Sequence, residues 1–217
     1  MKAAVLGTGT VGTTIATKLV EVGHEVTMGS RSAGNEAATE WAGEAGEGAA
    51  TGTFADAAAG AEIVFNCTAG TASLEALEMA GADNLAGKTL VDVANPLDFS
   101  AGMPPTLSVC NDDSLAERIQ AAFPDAKVVK ALNTVNAAVM TDPGSLSEPT
   151  NIFVCGNDDG AKAQVSSLLE EFGWDAGAVI DLGDISAARG TEMYLPLWLR
   201  MMGATGTAQF NVRIVRA

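Results

Sequence analysis

A doubly wound α/β fold, its sheet mostly parallel, is what the sequence predicts. Short apolar runs recur along the chain, Ala-, Glu- and Leu-rich segments of helical character separate them, and the first run ends on a glycine-rich turn that opens a helix. The runs are nearly continuously apolar, as strands covered on both faces must be. In order they are "KAAVLG", "HEVTMG", "EIVFNC", "TLVDVA", "KVVKAL", "NIFVCG" and "AVIDLG". Between them, "NEAATEWAGEAG" reads as a helix anchored by Trp41. The texture changes late. Residues 187–203 predict one long helix, apolar on most sides and therefore buried, followed by a glycine-rich turn and a final strand in "QFNVRIVR". The division is a nucleotide-binding domain over residues 1–185 and a C-terminal helix and strand over residues 186–217, serving as cleft wall or homodimer contact.

Composition removes several functions. The net charge of −15, with only 12 lysines and arginines, excludes a general nucleic-acid binder. The same field repels anions at long range, so an anionic ligand must be held by a few local donors and cations. "MYLPLWLRMMG" is too short to span a bilayer and is interrupted by Arg200. No targeting segment is read at the N-terminus, and the expected location is the cytoplasm. Cys67, Cys110 and Cys155 are widely spaced and odd in number, which supports neither a disulfide framework nor a metal site.

The strongest motif is "VLGTGTVGTT", where Gly7, Gly9 and Gly12 follow a strand and open a helix. Gly7 permits the tight turn, Gly9 lets the backbone approach a pyrophosphate, and Gly12 allows close packing of helix on strand. The helix N-terminus adds amides and a positive dipole end, with Thr8, Thr10 and Val11 lining the phosphates. That is a Rossmann-type dinucleotide turn. About 20 residues on, where an acid would accept the ribose hydroxyls of NAD, the chain has Gly29, Ser30 and Arg31. A guanidinium can fork onto phosphate oxygens and a serine can add a donor, so the expected cofactor is NADP(H).

Open α/β sheets bind ligands beyond the carboxyl ends of their strands. Three later strands end in "NCTAGTAS", "VANPLDF" and "KALNTVNAAV", which predicts a trough floored by Thr68, Ala69, Asn95, Pro96 and Asn133. A nicotinamide and a second flat ring would fit there. The lone His24 precedes the second strand on the opposite side, and Tyr194 lacks the lysine four residues on that short-chain dehydrogenases use. No catalytic acid or base is therefore assigned. Hydride transfer between two cofactors fits best, since a flavin-like acceptor brings its own electronics and the protein chiefly aligns rings. Lys130, Arg189 and Arg200 are candidate cations for the ligands, and Met193, Leu197, Trp198, Met201 and Met202 a candidate wall.

The motifs "GTGTVG", "GHEVTMGSRS", "KALNTVNAAV", "FVCGNDDGAK" and "VIDLGDISAAR", in that order, resemble the NADP-dependent oxidoreductases that use coenzyme F420, a deazaflavin. The same segments are similar to the cytosolic reductase domain of six-transmembrane epithelial metalloreductases, in which NADPH reduces a flavin. Both resemblances imply NADPH in the trough, with Thr8, Thr10, Val11, Ser30 and Arg31 at cofactor-contact positions and Thr68 and Ala69 beside the nicotinamide. The sequence departs from some F420-type members at Asn35, where they carry a further basic residue, and at Asn133, where they carry histidine. The implied function is hydride transfer between NADP(H) and F420. An NADPH-dependent flavin reductase using FMN or FAD is the alternative, and a non-catalytic NADP(H)-sensing protein is the reading from another class.

Overall fold

The first apolar run forms strand β1 (Lys2–Leu6), and the glycine turn feeds helix α1 (Thr10–Glu21). The computed structural model describes residues 1–217. The alternation continues with β2 (Glu25–Ser30), α2 (Glu36–Ala45), β3 (Ala49–Thr53), α3 (Phe54–Gly60) and β4 (Ile63–Asn66). Next come α4 (Ser73–Ala80), α5 (Ala82–Leu85), β5 (Thr89–Asp92) and a small hairpin of β6 (Leu97–Asp98) with β7 (Thr106–Leu107). The second half holds α6 (Leu115–Ala122), β8 (Lys127–Ala131), α7 (Ala137–Thr141), β9 (Ile152–Gly156) and α8 (Asp159–Glu171). It closes with β10 (Val179–Asp181), α9 (Ala188–Met193) and α10 (Leu195–Thr205).

The main sheet has eight strands in the order β10-β9-β8-β5-β4-β1-β2-β3. From β3 to β8 every pairing is parallel, β9 runs antiparallel to β8, and β10 is parallel to β9. The winding reverses between β1 and β4, which opens a crevice at their carboxyl ends. Side chains alternate between two cores, as a pleated strand requires. Ala3 and Val5 of β1 join Ile15, Trp41, Phe172 and Trp174 on one face. Ala4 and Leu6 join Phe54, Leu77, Leu90 and Ile119 on the other.

Three expectations from sequence are corrected. "QFNVRIVR" forms no strand. It is held to Asn151, just before β9, by Asn151 N donating to Val212 O (3.0 Å), Ile214 N donating to Asn151 Oδ1 (2.8 Å) and the Asn211 side chain donating to Asn151 O (2.8 Å). The single long helix is two, because Pro196 cannot continue a preceding hydrogen-bond ladder and sits at the start of α10. Nor is that helix covered all round: Leu195 and Trp198 are buried while Met193 and Leu197 are exposed. A strand the sequence did not announce, β3, is the sheet edge, and its residues are small and half-exposed.

Two glycines of the first turn are required by the protein's own packing. Gly7 has φ +121°, and a Cβ on Gly12 would lie 2.1 Å from the Gly7 carbonyl oxygen. Replacing Gly12 with alanine would force α1 off β1. The expected cost is about 1–3 kcal/mol, the range for overpacking a tight core, measured as a lower urea midpoint with unchanged slope.

Candidate dinucleotide and acceptor site

Four loops meet at the crevice: the glycine turn after β1, residues 67–72 after β4, residues 93–96 after β5 and residues 132–136 after β8. They approach backbone to backbone. A Cβ on Gly70 would lie 2.0 Å from the Asn95 carbonyl oxygen, so only glycine lets the second and third loops touch. Leu132 takes the left-handed conformation (φ 65°) as the fourth loop leaves its strand.

The loops border two cavities. One, of about 390 Å³, is lined by Gly7, Thr8, Gly9, Ser30, Arg31, Asn35 and, from the helix side, Phe54, Glu75 and Met79. The other, of about 310 Å³, is lined by Val11, Asn95, Asn133, Thr134, Leu195 and Trp198 among others. Cys67, Thr68 and Ala69 border both, so the cavities are two ends of one trough. Of the residues singled out from sequence, Thr10, Gly12 and Pro96 line neither, and of the candidate wall only Trp198 lines a cavity, so Met193, Leu197, Met201, Met202 and the candidate cation Arg200 fall outside both. Thr10 starts α1 and faces solvent. Gly12 packs on the Gly7 carbonyl, and Pro96 is buried behind Gly70, its carbonyl accepting from Ser108 N (2.8 Å).

The larger cavity brings open backbone amides and one guanidinium together with the Glu75 carboxylate. No side chain caps α1, whose N-terminal amides therefore remain open at Gly9. A Cβ on Gly9 would meet nothing within 4 Å, unlike one on Gly7 or Gly12: its missing side chain leaves free space for a ligand. Arg31 is exposed and enters no salt bridge. Ser30, expected to offer a hydroxyl, is buried and donates to Ser32 O (2.7 Å). Asn35 caps α2 by accepting from Ala38 N (3.1 Å) through Oδ1, which leaves its amide donors open.

The smaller cavity carries no ionisable side chain except the Cys67 thiol, whose pKa is pushed up by burial and then by Asp92, so it stays neutral. Asn133 Nδ2 donates to Asn95 Oδ1 (3.0 Å) and Asn95 Nδ2 donates to Asn133 O (2.8 Å), which ties the third loop to the fourth. Thr68 Oγ1 donates to Asn66 Oδ1 (2.7 Å), and Asn66 Nδ2 donates to Asp92 Oδ1 (2.8 Å).

Lys130, a candidate ligand cation from sequence, does not reach the trough. Its side chain is 0% exposed, and its ammonium bonds Asp92 Oδ2 (2.7 Å), Glu192 Oε1 (2.8 Å) and the Ala94 carbonyl. Three donors meet three acceptors, leaving none for a ligand. Burial penalises the charge, but the two carboxylates outweigh it and hold the Lys130 pKa above the ordinary lysine value. Burial likewise raises the Glu192 pKa against the pull of Lys130. Glu192 also accepts from Leu115 N (2.8 Å) and Ala116 N (3.2 Å) at the start of α6. Arg189 is occupied too, forking onto Glu117 at 2.9 and 2.6 Å. His24 pairs with Glu171 at 2.7 Å, away from both cavities.

Sequence reading passed over Phe54, Glu75 and Met79, which α3 and α4 bring to the larger cavity from the far side of β1. It also passed over Thr134, although that residue stands inside the quoted "KALNTVNAAV". Only the winding of the sheet brings the helix residues there.

With one end of the trough offering amides and a free guanidinium and the other an apolar slot, the chain falls in the class of NADP-dependent oxidoreductases. The family model for coenzyme F420-dependent NADP oxidoreductases matches residues 2–96. Over 100% of both chains, the fold superposes with a TM-score of 0.94 and 55% identity on the crystal structure of a candidate F420-dependent NADP reductase from Arthrobacter sp. FB24. The F420-dependent NADP reductase of Methanocaldococcus jannaschii is 36% identical over 118 residues, 53% of this chain and 51% of that protein. Rat metalloreductase STEAP3 is 30% identical over 204 residues, 91% of this chain but 38% of that protein. The chain thus spans about half or less of the length of these two relatives. It belongs to the coenzyme F420-dependent NADP oxidoreductase family. No helix is long and apolar enough to cross a membrane.

Removing the central cation should be costly. Lys130→Met leaves two buried carboxylates without a counter-charge, for which the expected loss is about 3–5 kcal/mol in urea denaturation. Adding Asp92→Asn and Glu192→Gln should recover part of it, because no uncompensated charge then remains.

Proposed function

We propose that the protein transfers hydride reversibly between NADP(H) and coenzyme F420. The observation that carries this reading is the continuity of the trough: an anion-receiving cavity and a nearly uncharged slot share Thr68 and Ala69. A dinucleotide spanning both would place its nicotinamide at those residues, with the rest of the slot left for a second flat ring. The family and its Methanocaldococcus jannaschii relative support the deazaflavin as that ring.

The residues fit NADP(H). Gly7, Thr8 and Gly9 with the first amides of α1 would hold the pyrophosphate, and Arg31 with the open amide of Asn35 the 2'-phosphate. Thr68, Ala69, Val11, Asn95 and Asn133 would border the nicotinamide and acceptor. The chemistry supplied by the bound pair is NADPH + H⁺ + oxidised deazaflavin giving NADP⁺ + reduced deazaflavin, with the proton drawn from solvent. The chain contributes alignment of the two rings and exclusion of water, and no side chain need act as acid or base.

Anaerobic mixing with NADPH and oxidised F420, with FMN and FAD in parallel and NADH as control, tests the reading. NADPH-specific bleaching of the deazaflavin is expected. Turnover of flavins alone would assign the acceptor instead to the chemistry of the metalloreductase relatives. Tight NADPH binding with no turnover would leave a sensing protein as the reading.

Arg31→Ala should weaken NADPH binding about tenfold or more, since one hydrogen bond between charged groups contributes ~1.5–3 kcal/mol. NADH affinity should change less than twofold. A parallel loss for both nucleotides in a fluorescence titration would remove Arg31 from the 2'-phosphate.

A further inference from the structure

In the whole protein three buried side-chain polar atoms lack any hydrogen-bond partner: Thr134 Oγ1, Tyr194 Oη and Trp198 Nε1. They are not scattered. Thr134 and Trp198 both line the smaller cavity, and Tyr194 immediately precedes Leu195, which lines it too. Thr134 is 2% exposed and Trp198 9%, so bulk water does not satisfy them. Unpartnered buried polar groups are rare in native proteins and oppose folding, so the presence of two of the three in the lining of one cavity calls for an explanation there. The neighbouring amides do not share the condition, since Asn95 and Asn133 bond each other.

We propose that Thr134 and Trp198 are the polar contacts of the acceptor ring, held unpartnered until a ring with hydrogen-bond acceptors at its edge enters the slot. This rests on the hydride-transfer reading above and deepens it. The indole N–H can only donate, and the threonine hydroxyl can donate or accept. The ligand edge facing Trp198 must therefore carry a carbonyl oxygen or an unprotonated ring nitrogen, as the pyrimidinedione edge of a deazaflavin or flavin does.

Both atoms are closed off in the free protein, so a ligand meets them only once the side chains turn toward the slot. A change of Thr134 χ1 exchanges its hydroxyl with a methyl of nearly equal size, at little steric cost. Trp198 is stacked at 5.2 Å on Phe210, which belongs to the C-terminal segment outside helix and strand. That stacking covers the indole face and leaves its edge for the ligand side. Neither residue transfers a proton or hydride: they orient the ring, and the proton that accompanies its reduction comes from water.

The test uses a signature that a structural hydroxyl would not give. Thr134→Val keeps the shape and removes the unpartnered group. It should raise the melting temperature of the ligand-free protein by about 2–4 °C, the shift expected for a small stabilisation in a chain of this size. The same variant should raise the KM for oxidised F420 about tenfold while the dissociation constant of 2',5'-ADP, which probes the nucleotide cavity alone, stays within twofold. Trp198→Phe should give the same split in KM, and Thr134→Ser should restore wild-type KM. A lower melting temperature for Thr134→Val, or an unchanged acceptor KM in an active protein, would overturn the proposal. Wild-type protein that bleaches neither deazaflavin nor flavin would sink the functional reading instead, and the melting temperature would still judge the hydroxyl.

Discussion

The ammonium of Lys130 is the point on which the geometry of the crevice depends. It rises from β8 into a fully buried space and meets Asp92 from the end of β5, the Ala94 carbonyl from the loop beyond it, and Glu192 from α9. Desolvating each ion costs several kcal/mol, and the arrangement survives because every donor is matched and the carboxylates take further amide bonds. Glu192 ends on the amides that open α6, so its charge lies against the positive end of that helix. The net gain in stability from such a cluster is small or negative against an apolar core, and its value lies in geometry. From Asp92 the chain of bonds runs through Asn66 to Thr68, at the junction of the two cavities. One buried cation thus relates the loop after β4, which borders both cavities, to the C-terminal helices that carry Leu195 and Trp198.

Glycine supplies the complementary constraint. Gly7, Gly12 and Gly70 exist because backbone meets backbone there, whereas Gly9 faces open space. The first three are explained by the fold without any ligand. Gly9 is not constrained in that way, since a Cβ there would meet no protein atom within 4 Å, and as the N-cap of α1 it leaves the helix amides open to a ligand. In a chain of charge −15, that short-range cradle and Arg31 must do the work that a positive surface would do elsewhere.

Most of the sheet was legible because its strands are short apolar runs between helical segments, and seven such runs became β1, β2, β4, β5, β8, β9 and β10. What was hidden follows from the same physics. β3 is an edge strand of Ala, Thr and Gly with exposed side chains, so it lacks the apolar run that marks its neighbours. The reversal at β9 was invisible because a strand buried on both faces reads the same in either direction. "QFNVRIVR" alternates as a strand should, but what it finds is the polar Asn151 rather than a free ladder. The glycine turn and Arg31 were readable as local motifs. Lys130 was misread because nothing local announces that Asp92 and Glu192, distant in sequence, converge on it.

A trough end that carries no titratable group besides a neutral thiol also limits its chemistry. Reduction of a ketone to an alcohol needs a proton delivered to a developing alkoxide, and a placed acid ordinarily supplies it. Here the lining offers hydroxyls, amides and an indole, all too weakly acidic for that task near neutral pH. A ring that delocalises the charge of the incoming hydride over its own carbonyls makes no such demand, and its proton can arrive from solvent after transfer. The composition of the slot therefore favours a conjugated redox ring over a simple carbonyl substrate, independently of any family likeness. On the proposed reading, Thr134 and Trp198 would orient such a ring by hydrogen bonds and leave the electronics to the ring itself.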